Sequence, residues 1–365
     1  MSKETTFYPR HLPIYELTRG RIVESIHYGS IAIVDVHGNL LAWYGDPDMV
    51  TFLRSTLKPF QLIPFLENGG KDIFDLNSRE IAIMCGSHSG TDEHLSIIQQ
   101  IQKKTRIQES DLLCGTHEPI DELTAEKMRN RKEIASPNRH NCSGKHTGML
   151  AYVRYKERSG VTYKKNLRYI DPLHPVQKEI LRTFSQMSSL PVKKVEVGID
   201  GCSAPNFAVP LWNAAFAFAR LCDPDLGDVG PVKRVDACRL ITSAMMTHPE
   251  MVGGPGRFDT RLMEVARGRI VSKGGAEAYH GVGLVPGVLE TGSPAIGIAI
   301  KISDGDNRNQ VCNAVTLEVL RQLGALSNDE LSRLEDFGPE FSLYNWSGAL
   351  IGKAHPGFIL QYSRQ

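Results

Sequence analysis

The stretch Arg54-Ser55-Thr56-Leu57-Lys58-Pro59-Phe60-Gln61-Leu62-Ile63-Pro64-Phe65-Leu66, closed by Asn68-Gly69-Gly70, sets the reading of the rest of the chain. Pro59 lacks an N–H and clashes in a helix interior, so it belongs in a first turn. Leu62, Ile63, Phe65 and Leu66 form an apolar stripe at helical spacing, and the Asn-Gly-Gly run ends it. Pro64, inside that stripe, predicts a kink. Ser55 and Lys58 are three apart, which on a helix puts both on one face. A serine hydroxyl is a poor nucleophile and needs a base beside it. Lysine serves as that base only when burial or a nearby cation lowers its pKa. Arg54 is such a cation, or a clamp for a substrate carboxylate. Ser55 falls at or just before the helix N-terminus, where free N–H groups and the positive end of the dipole gather. The spacing alone is weak, because ordinary surface helix turns carry it too.

Upstream, Ile31–Val36 and Leu40–Tyr44 flank His37-Gly38-Asn39 and predict a β-hairpin. Downstream, Ser78–Met84 reads as a helix with Ser78 as N-cap and Glu80 in its first turn. Thr91 caps a helix with apolar positions Leu95, Ile98 and Ile101. Residues 111 to 144 are polar and loop-rich, with one helix near Leu123–Ile134. Asn138–His146 reads as a loop that leads into a helix at Met149–Tyr155. Pro175–Met187 is helical by its Pro start, Val192–Ile199 alternates like a strand, and Val209–Leu221 and Val232–Met246 read as buried helices. Thr260–Ala266 is a short helix, Val271–Leu284 and Ala295–Ile302 are strands, and Asn307–Leu323 is a terminal helix. Strands, a long helical middle and strands again predict an α+β fold within one domain spanning 1–365. Its mainly antiparallel sheet would come from about residues 20–50 and 270–305, with flanking helices and a helical lobe from about 90–250. The ligand is expected in the cleft between sheet and helices.

Among the 365 residues, 41% apolar and 23% charged is ordinary for a soluble globular protein. A net charge of +1 offers nothing to nucleic acid. Met1–Arg10 is polar and lacks the apolar core of a signal peptide, and no stretch is long and apolar enough to cross a membrane. The expected location is the cytoplasm, with no nucleic-acid or membrane partner. Seven scattered cysteines form no disulfide-scaffold pattern, so reduced thiols are the default.

Four further runs are dense in chemistry: Cys85-Gly86-Ser87-His88-Ser89-Gly90, Asn141-Cys142-Ser143-Gly144-Lys145-His146, Asp200-Gly201-Cys202-Ser203 and Ser272-Lys273-Gly274-Gly275. Each by itself could be an ordinary loop; five such runs in one chain point to a site. Cys142 and Cys202 are candidate thiolate ligands for zinc, although paired C-x-x-C runs are missing. Lysine ligates only after losing its proton, which a divalent ion favours.

Together with Gly198-Ile199-Asp200-Gly201-Cys202 and Pro255-Gly256-Arg257-Phe258-Asp259, these motifs, in this order, resemble the L-asparaginase II family of rhizobial-type (class 3) asparaginases over nearly the whole chain. The resemblance implies hydrolysis of L-asparagine to L-aspartate and ammonia, a serine β-lactamase- and glutaminase-like fold, and a homodimer. It pairs Ser55 with Lys58 and Ser87 with Lys273 as two Ser–Lys tandems. It places Cys142, Lys145 and Cys202 around Zn2+, with Asp200 beside it, and makes Arg54, His146 and Asp200 substrate-binding residues. Gly253-Gly254-Pro255-Gly256-Arg257 is looser than the family pattern and leaves the role of Arg257 open.

Amide hydrolysis needs a nucleophile, a base, an oxyanion donor and a proton for the leaving ammonia. Ser87 is the first choice of nucleophile, because the glycines of its loop allow close backbone approach and an oxyanion donor; Ser55 would then relay protons. Zinc would position the substrate and need not be essential. The alternatives are another Ser–Lys amidohydrolase, a glutaminase or a β-lactamase-like enzyme, and a non-catalytic zinc-binding protein. A β-lactamase would add Ser-Asp-Asn and Lys-Thr-Gly runs; here Lys273-Gly274-Gly275 stands in the matching region and no Ser-Asp-Asn occurs.

Overall fold

A computed structural model of the protein describes residues 10–164, 166–306 and 310–363. The chain opens with β1 (Leu12–Arg19), β2 (Ile22–Asp35), β3 (Leu40–Tyr44) and β4 (Val50–Phe52). A long helical stretch follows: α1 (Lys58–Glu67), the single turn α2 (Gly70–Ile73), α3 (Ser78–Cys85), α4 (Asp92–Thr105), α5 (Glu122–Asn130), α6 (Ser143–Arg158) and α7 (Pro175–Met187). Strands β5 (Glu196–Ile199) and β6 (Pro205–Pro210) interrupt it before α8 (Leu211–Cys222), α9 (Val232–Thr247), α10 (Pro249–Val252) and α11 (Phe258–Ala266). Then come β7 (Ile270–Gly275), β8 (Tyr279–Leu284), β9 (Ile296–Ile302), α12 (Gln310–Gln322), β10 (Phe341–Tyr344), β11 (Leu350–Pro356) and the short β12 (Gln361–Tyr362).

The expected α+β class holds. One large sheet runs β10-β11-β1-β2-β9-β8-β7, with β3 also on β2 and β12 on β3. Its pairings are antiparallel, from Ile31 opposite Tyr44 to Lys273 opposite Gly281. The predicted hairpin is β2–β3, and the Asp35 carboxylate holds its turn by accepting from the His37 and Asn39 N–H groups at 2.9 and 2.8 Å.

Alternation along the strands divides the core between the two faces of the sheet. Ile31 and Ile33 of β2 join Ile296, Ile298 and Ile300 of β9 under α11 and α12. Ala32 and Val34 face the other way, into the helical lobe with Phe60, Phe184 and Phe218. Small residues on that face let α8 press close. A Cβ on Gly297 would lie 1.7 Å from the Ala215 carbonyl oxygen, and one on Gly281 would lie 2.2 Å from the Phe218 ring.

Several boundaries differ from expectation. The N-cap of α3 is Asn77, whose side chain accepts from the Glu80 N–H in a capping box, and Ser78 is the first helical residue. In α4 it is Ile97 that joins Ile98 and Ile101 in the core, while Leu95 is half-buried. Helix α6 starts at Ser143, so Lys145 and His146 stand on its first turn and not in a loop. Pro205–Pro210 is a strand that precedes the helix expected from Val209. Helix α1 continues through Pro64 to Glu67. The start of the helix expected at Asn307 lies outside the described residues. The sheet is wider than residues 20–50 and 270–305, because β1, β10 and β11 add a further edge.

Candidate active site

Ser55 and Ser87 line one cavity of about 540 Å³, together with Asn141, Arg257, Asp259, Tyr279, His280 and Phe337. It opens where the β7 edge of the sheet meets the helical lobe. A larger groove of about 710 Å³, lined by Arg239, Met246, Glu250 and Arg267, lies elsewhere and contains neither serine.

Lys58 reaches the cavity from α1. Its Nζ lies 2.8 Å from Ser87 Oγ, 2.7 Å from Gly86 O and 3.2 Å from Asn141 O. Both carbonyls can only accept, and the hydroxyl can also donate. A neutral amine has two hydrogens and one lone pair, so it can donate to the carbonyls while Ser87 O–H donates to its lone pair. Lys58 is 1% exposed. Burial pulls its pKa down and the Lys145 ammonium adds to this, while the Cys142 sulfur opposes both. The Ser87 loop itself packs closely on the segment after His248: a Cβ on Gly86 would lie 2.6 Å from the Met251 carbonyl oxygen. The Ser87 N–H donates to Val252 O at 2.7 Å and is therefore engaged.

Ser55 belongs to a 3-10 turn, Arg54–Leu57, directly before α1. Among the described residues its hydroxyl makes no hydrogen bond; the hydroxyl that meets Lys58 is that of Ser87. Ser87 and Lys273, the other implied tandem, share no hydrogen bond either. Lys273 Nζ donates to Gly274 O at 2.6 Å and lies 3.6 Å from Asp259 Oδ2. Burial brings Lys273 down to about 8, Asp259 working against the shift and Lys58 and Arg257 adding to it.

Asp259 was quoted in a motif but assigned no role, and the structure puts it at the centre of a buried network. It accepts from Ser272 Oγ at 2.7 Å and from Gly274 N–H at 2.9 Å, with His280 Nε2 at 3.4 Å. His280 Nε2 also meets Ser272 Oγ at 2.9 Å. Burial would raise the Asp259 pKa, but Lys273, His280 and Gly274 N–H hold it well below the usual carboxylate range.

Cys142, Lys145 and Cys202 do converge. Lys145 Nζ donates to Cys202 Sγ at 2.9 Å, and Cys202 Sγ lies 3.6 Å from Asp200 Oδ2. The nearby Cys202, with Lys58 and Lys145, lowers the Cys142 pKa below that of an ordinary thiol, while Cys142 and burial raise that of Cys202. Burial works against the Lys145 charge, but the two sulfurs outweigh it and raise its pKa. Two sulfurs and one nitrogen fit a borderline-soft ion with an open fourth position. Among the described residues no group of three His, Cys, Asp or Glu side chains could hold a metal.

Arg54 Nε donates to Asp200 Oδ1 at 2.7 Å, and Arg54 Nη1 lies 3.7 Å from Glu277. Arg54 takes a left-handed backbone, φ 53°, and its N–H donates to Asn206 Oδ1 at 3.1 Å. Asp200 is held below its ordinary pKa; burial opposes this, but Lys145 and Arg54 prevail. His146 is fully buried on α6, with Nδ1 2.7 Å from the Tyr169 hydroxyl. It is not among the residues that line the cavity.

The L-asparaginase II family model matches residues 15–356. A comparison with curated proteins finds no match. Among solved structures, the Bacillus subtilis glutaminase YbgJ, in covalent complex with 5-oxo-L-norleucine, aligns at 13% identity over 82% of this chain and 89% of that one, with a TM-score of 0.38. A Bacillus glutaminase in 4.3 M NaCl aligns at 12% identity over 81% and 91%, with a TM-score of 0.37.

Proposed function

Because the chain belongs to the L-asparaginase II family, we propose that it hydrolyses the side-chain amide of L-asparagine to L-aspartate and ammonia, with Ser87 as nucleophile and Lys58 as its base. The observation that carries this reading is Lys58 Nζ lying 2.8 Å from Ser87 Oγ, at the wall of a cavity also lined by Ser55. Ser87 Oγ attacks the amide carbon and its proton passes to neutral Lys58. The tetrahedral intermediate collapses, the C–N bond breaks, and the Lys58 proton leaves with ammonia. A water molecule then attacks the acyl ester, gives a proton to Lys58 and releases aspartate, and Ser87 recovers its proton. The free Ser55 hydroxyl relays protons on the far side of the substrate. Lys273, near 8, supplies a second amine that exchanges protons close to neutral pH.

Cys142, Lys145 and Cys202 would hold zinc, and Asp200 with Arg54 would link that cluster to the turn that carries Ser55. When bound, zinc supplies a positive charge that keeps the sulfurs as thiolates and favours neutral Lys145.

The test is ammonia release from L-asparagine, with L-glutamine and nitrocefin as competing substrates, and mass spectrometry of the quenched protein. A +1-aspartyl adduct on the peptide that contains Ser87 is expected. An adduct that persists in Ser87→Ala rules out this nucleophile, and turnover of glutamine or nitrocefin in place of asparagine rules out the substrate.

A further inference from the structure

An amino-acid substrate brings an α-carboxylate into the cavity, and a cation without a partner of its own is the natural receiver. The cations around the serines are nearly all committed. Lys58 has Gly86 O, Asn141 O and Ser87; Lys273 has Gly274 O and Asp259; Lys145 has Cys202. Arg54, the expected carboxylate clamp, is held by Asp200 at 2.7 Å. Arg257 is different. It lines the cavity beside Ser55 and Ser87, half-buried, and among the described residues its guanidinium makes no hydrogen bond or ion pair.

Its backbone is nonetheless well fixed. Arg257 N–H donates to Gly254 O at 3.3 Å, and its carbonyl accepts from Arg261 N–H at 2.9 Å as α11 begins. The next two residues, Phe258 and Asp259, are 6% and 8% exposed. A free guanidinium is thus anchored on the same buried turn that places Asp259 against Lys273. The carboxylate nearest in sequence cannot neutralise it, because Asp259 already faces Ser272, Gly274 N–H, His280 and Lys273.

We propose that Arg257 receives the α-carboxylate of the substrate, and so restricts the enzyme to side-chain amides that carry that group. The inference rests on the asparaginase reading. A guanidinium presents a planar pair of donors matched to a carboxylate, which a lysine would not reproduce.

The experiment compares kcat and KM for L-asparagine, for succinamate, which lacks the α-amine, and for β-alaninamide, which lacks the α-carboxylate. Wild type, Arg257→Met and Arg257→Lys are used, with circular dichroism confirming that each is folded. Arg257→Met is expected to lose about 100-fold in kcat/KM on asparagine and on succinamate, chiefly through KM, with β-alaninamide nearly unchanged. Arg257→Lys should recover part of the loss and also covers the case in which the Met variant does not fold. An equal loss on β-alaninamide, or an unchanged KM for asparagine, overturns the assignment. A wild type active on asparagine and equally active on β-alaninamide overturns it while leaving the asparaginase reading intact; a wild type that releases no ammonia from asparagine overturns that reading, and this inference with it.

Discussion

Two lysines, each 1% exposed, stand behind residues that line the cavity, Lys58 against Ser87 and Lys273 against Asp259, and their surroundings differ. Lys58, from the helical lobe, meets two carbonyls and a serine hydroxyl, with a sulfur as its nearest source of negative charge. Lys273, from the sheet, faces a carboxylate that three other groups also hold. Burial disfavours the ammonium form of both. The Lys58 wall lets its amine become neutral against a hydroxyl, whereas the Lys273 wall keeps a counter-ion in place and leaves its amine near 8. Residue type and burial are the same and only the partners differ; under the proposed function Lys58 is the base and Lys273 the adjustable cation.

The largest effect should come from the first wall. Lys58→Met is expected to cut kcat by roughly 10³-fold, within the usual 10²–10⁴-fold contribution of a general base, and Ser87→Ala by at least as much. Lys273→Met should cost less, about 10²-fold. Steady-state ammonia release measures both, and a Lys273 loss larger than the Lys58 loss would reverse the comparison.

Asp259→Asn sharpens it through pH. The carboxylate raises the Lys273 pKa, so its removal should move the Lys273 limb of the kcat/KM profile from near 8 to lower pH, by about one unit. A limb that stays in place would show that Lys273 does not titrate in the reaction.

The zinc proposal concerns the Lys58 side alone. Cys202→Ser should reduce bound metal measured by elemental analysis and lower the melting temperature, because ligand binding to the folded state stabilises it. Metal content equal to wild type would remove Cys202 from the ligand set.

The smallest effect is on stability. Burial keeps His88, beside Ser87, well below its ordinary value of 6.5, with His94 and Lys58 adding to the shift. Only the unfolded chain then gains the proton just below 6.5. Stability is therefore complete above that pH and falls as the solution is acidified, by up to about 1.4 kcal/mol per pH unit for this group. Asp259 has a carboxylate pKa that is already depressed, so its contribution is lost only in stronger acid. Hydrogen exchange at pH 5 should open the segment around His88 before β7; the reverse order would break the comparison.

Much of this was legible from the sequence. Local rules act within one turn or one strand, so Pro175–Met187, Val232–Thr247 and the β2–β3 hairpin could be read from spacing, Pro and Gly. Strands β10 and β11 escaped because they are mostly half-buried and short of fully buried residues, with Ala354 alone in the core. Their place in the sheet depends on pairing with β1, more than 300 residues away.

The residue types of the site could likewise be chosen from the sequence: two serines, three lysines and two cysteines in loops, first turns and, for Lys273, strand β7. Which atoms meet could not. Ser55 and Lys58 are three apart, but the 3-10 turn before α1 leaves their hydroxyl and amine apart, and the lysine meets a serine 29 positions further on. Asp259 gained its role only when α11 packed against β7. Sequence spacing sets the direction of side chains within one element, whereas a hydrogen bond between elements depends on how their backbones pack; Gly86, for one, lets the Ser87 loop lie against Met251 and Val252. The sequence alone determined the chemistry available to this protein; the tertiary structure decided its pairing, because burial and partner set a lysine's charge and neither is a property of the residue itself.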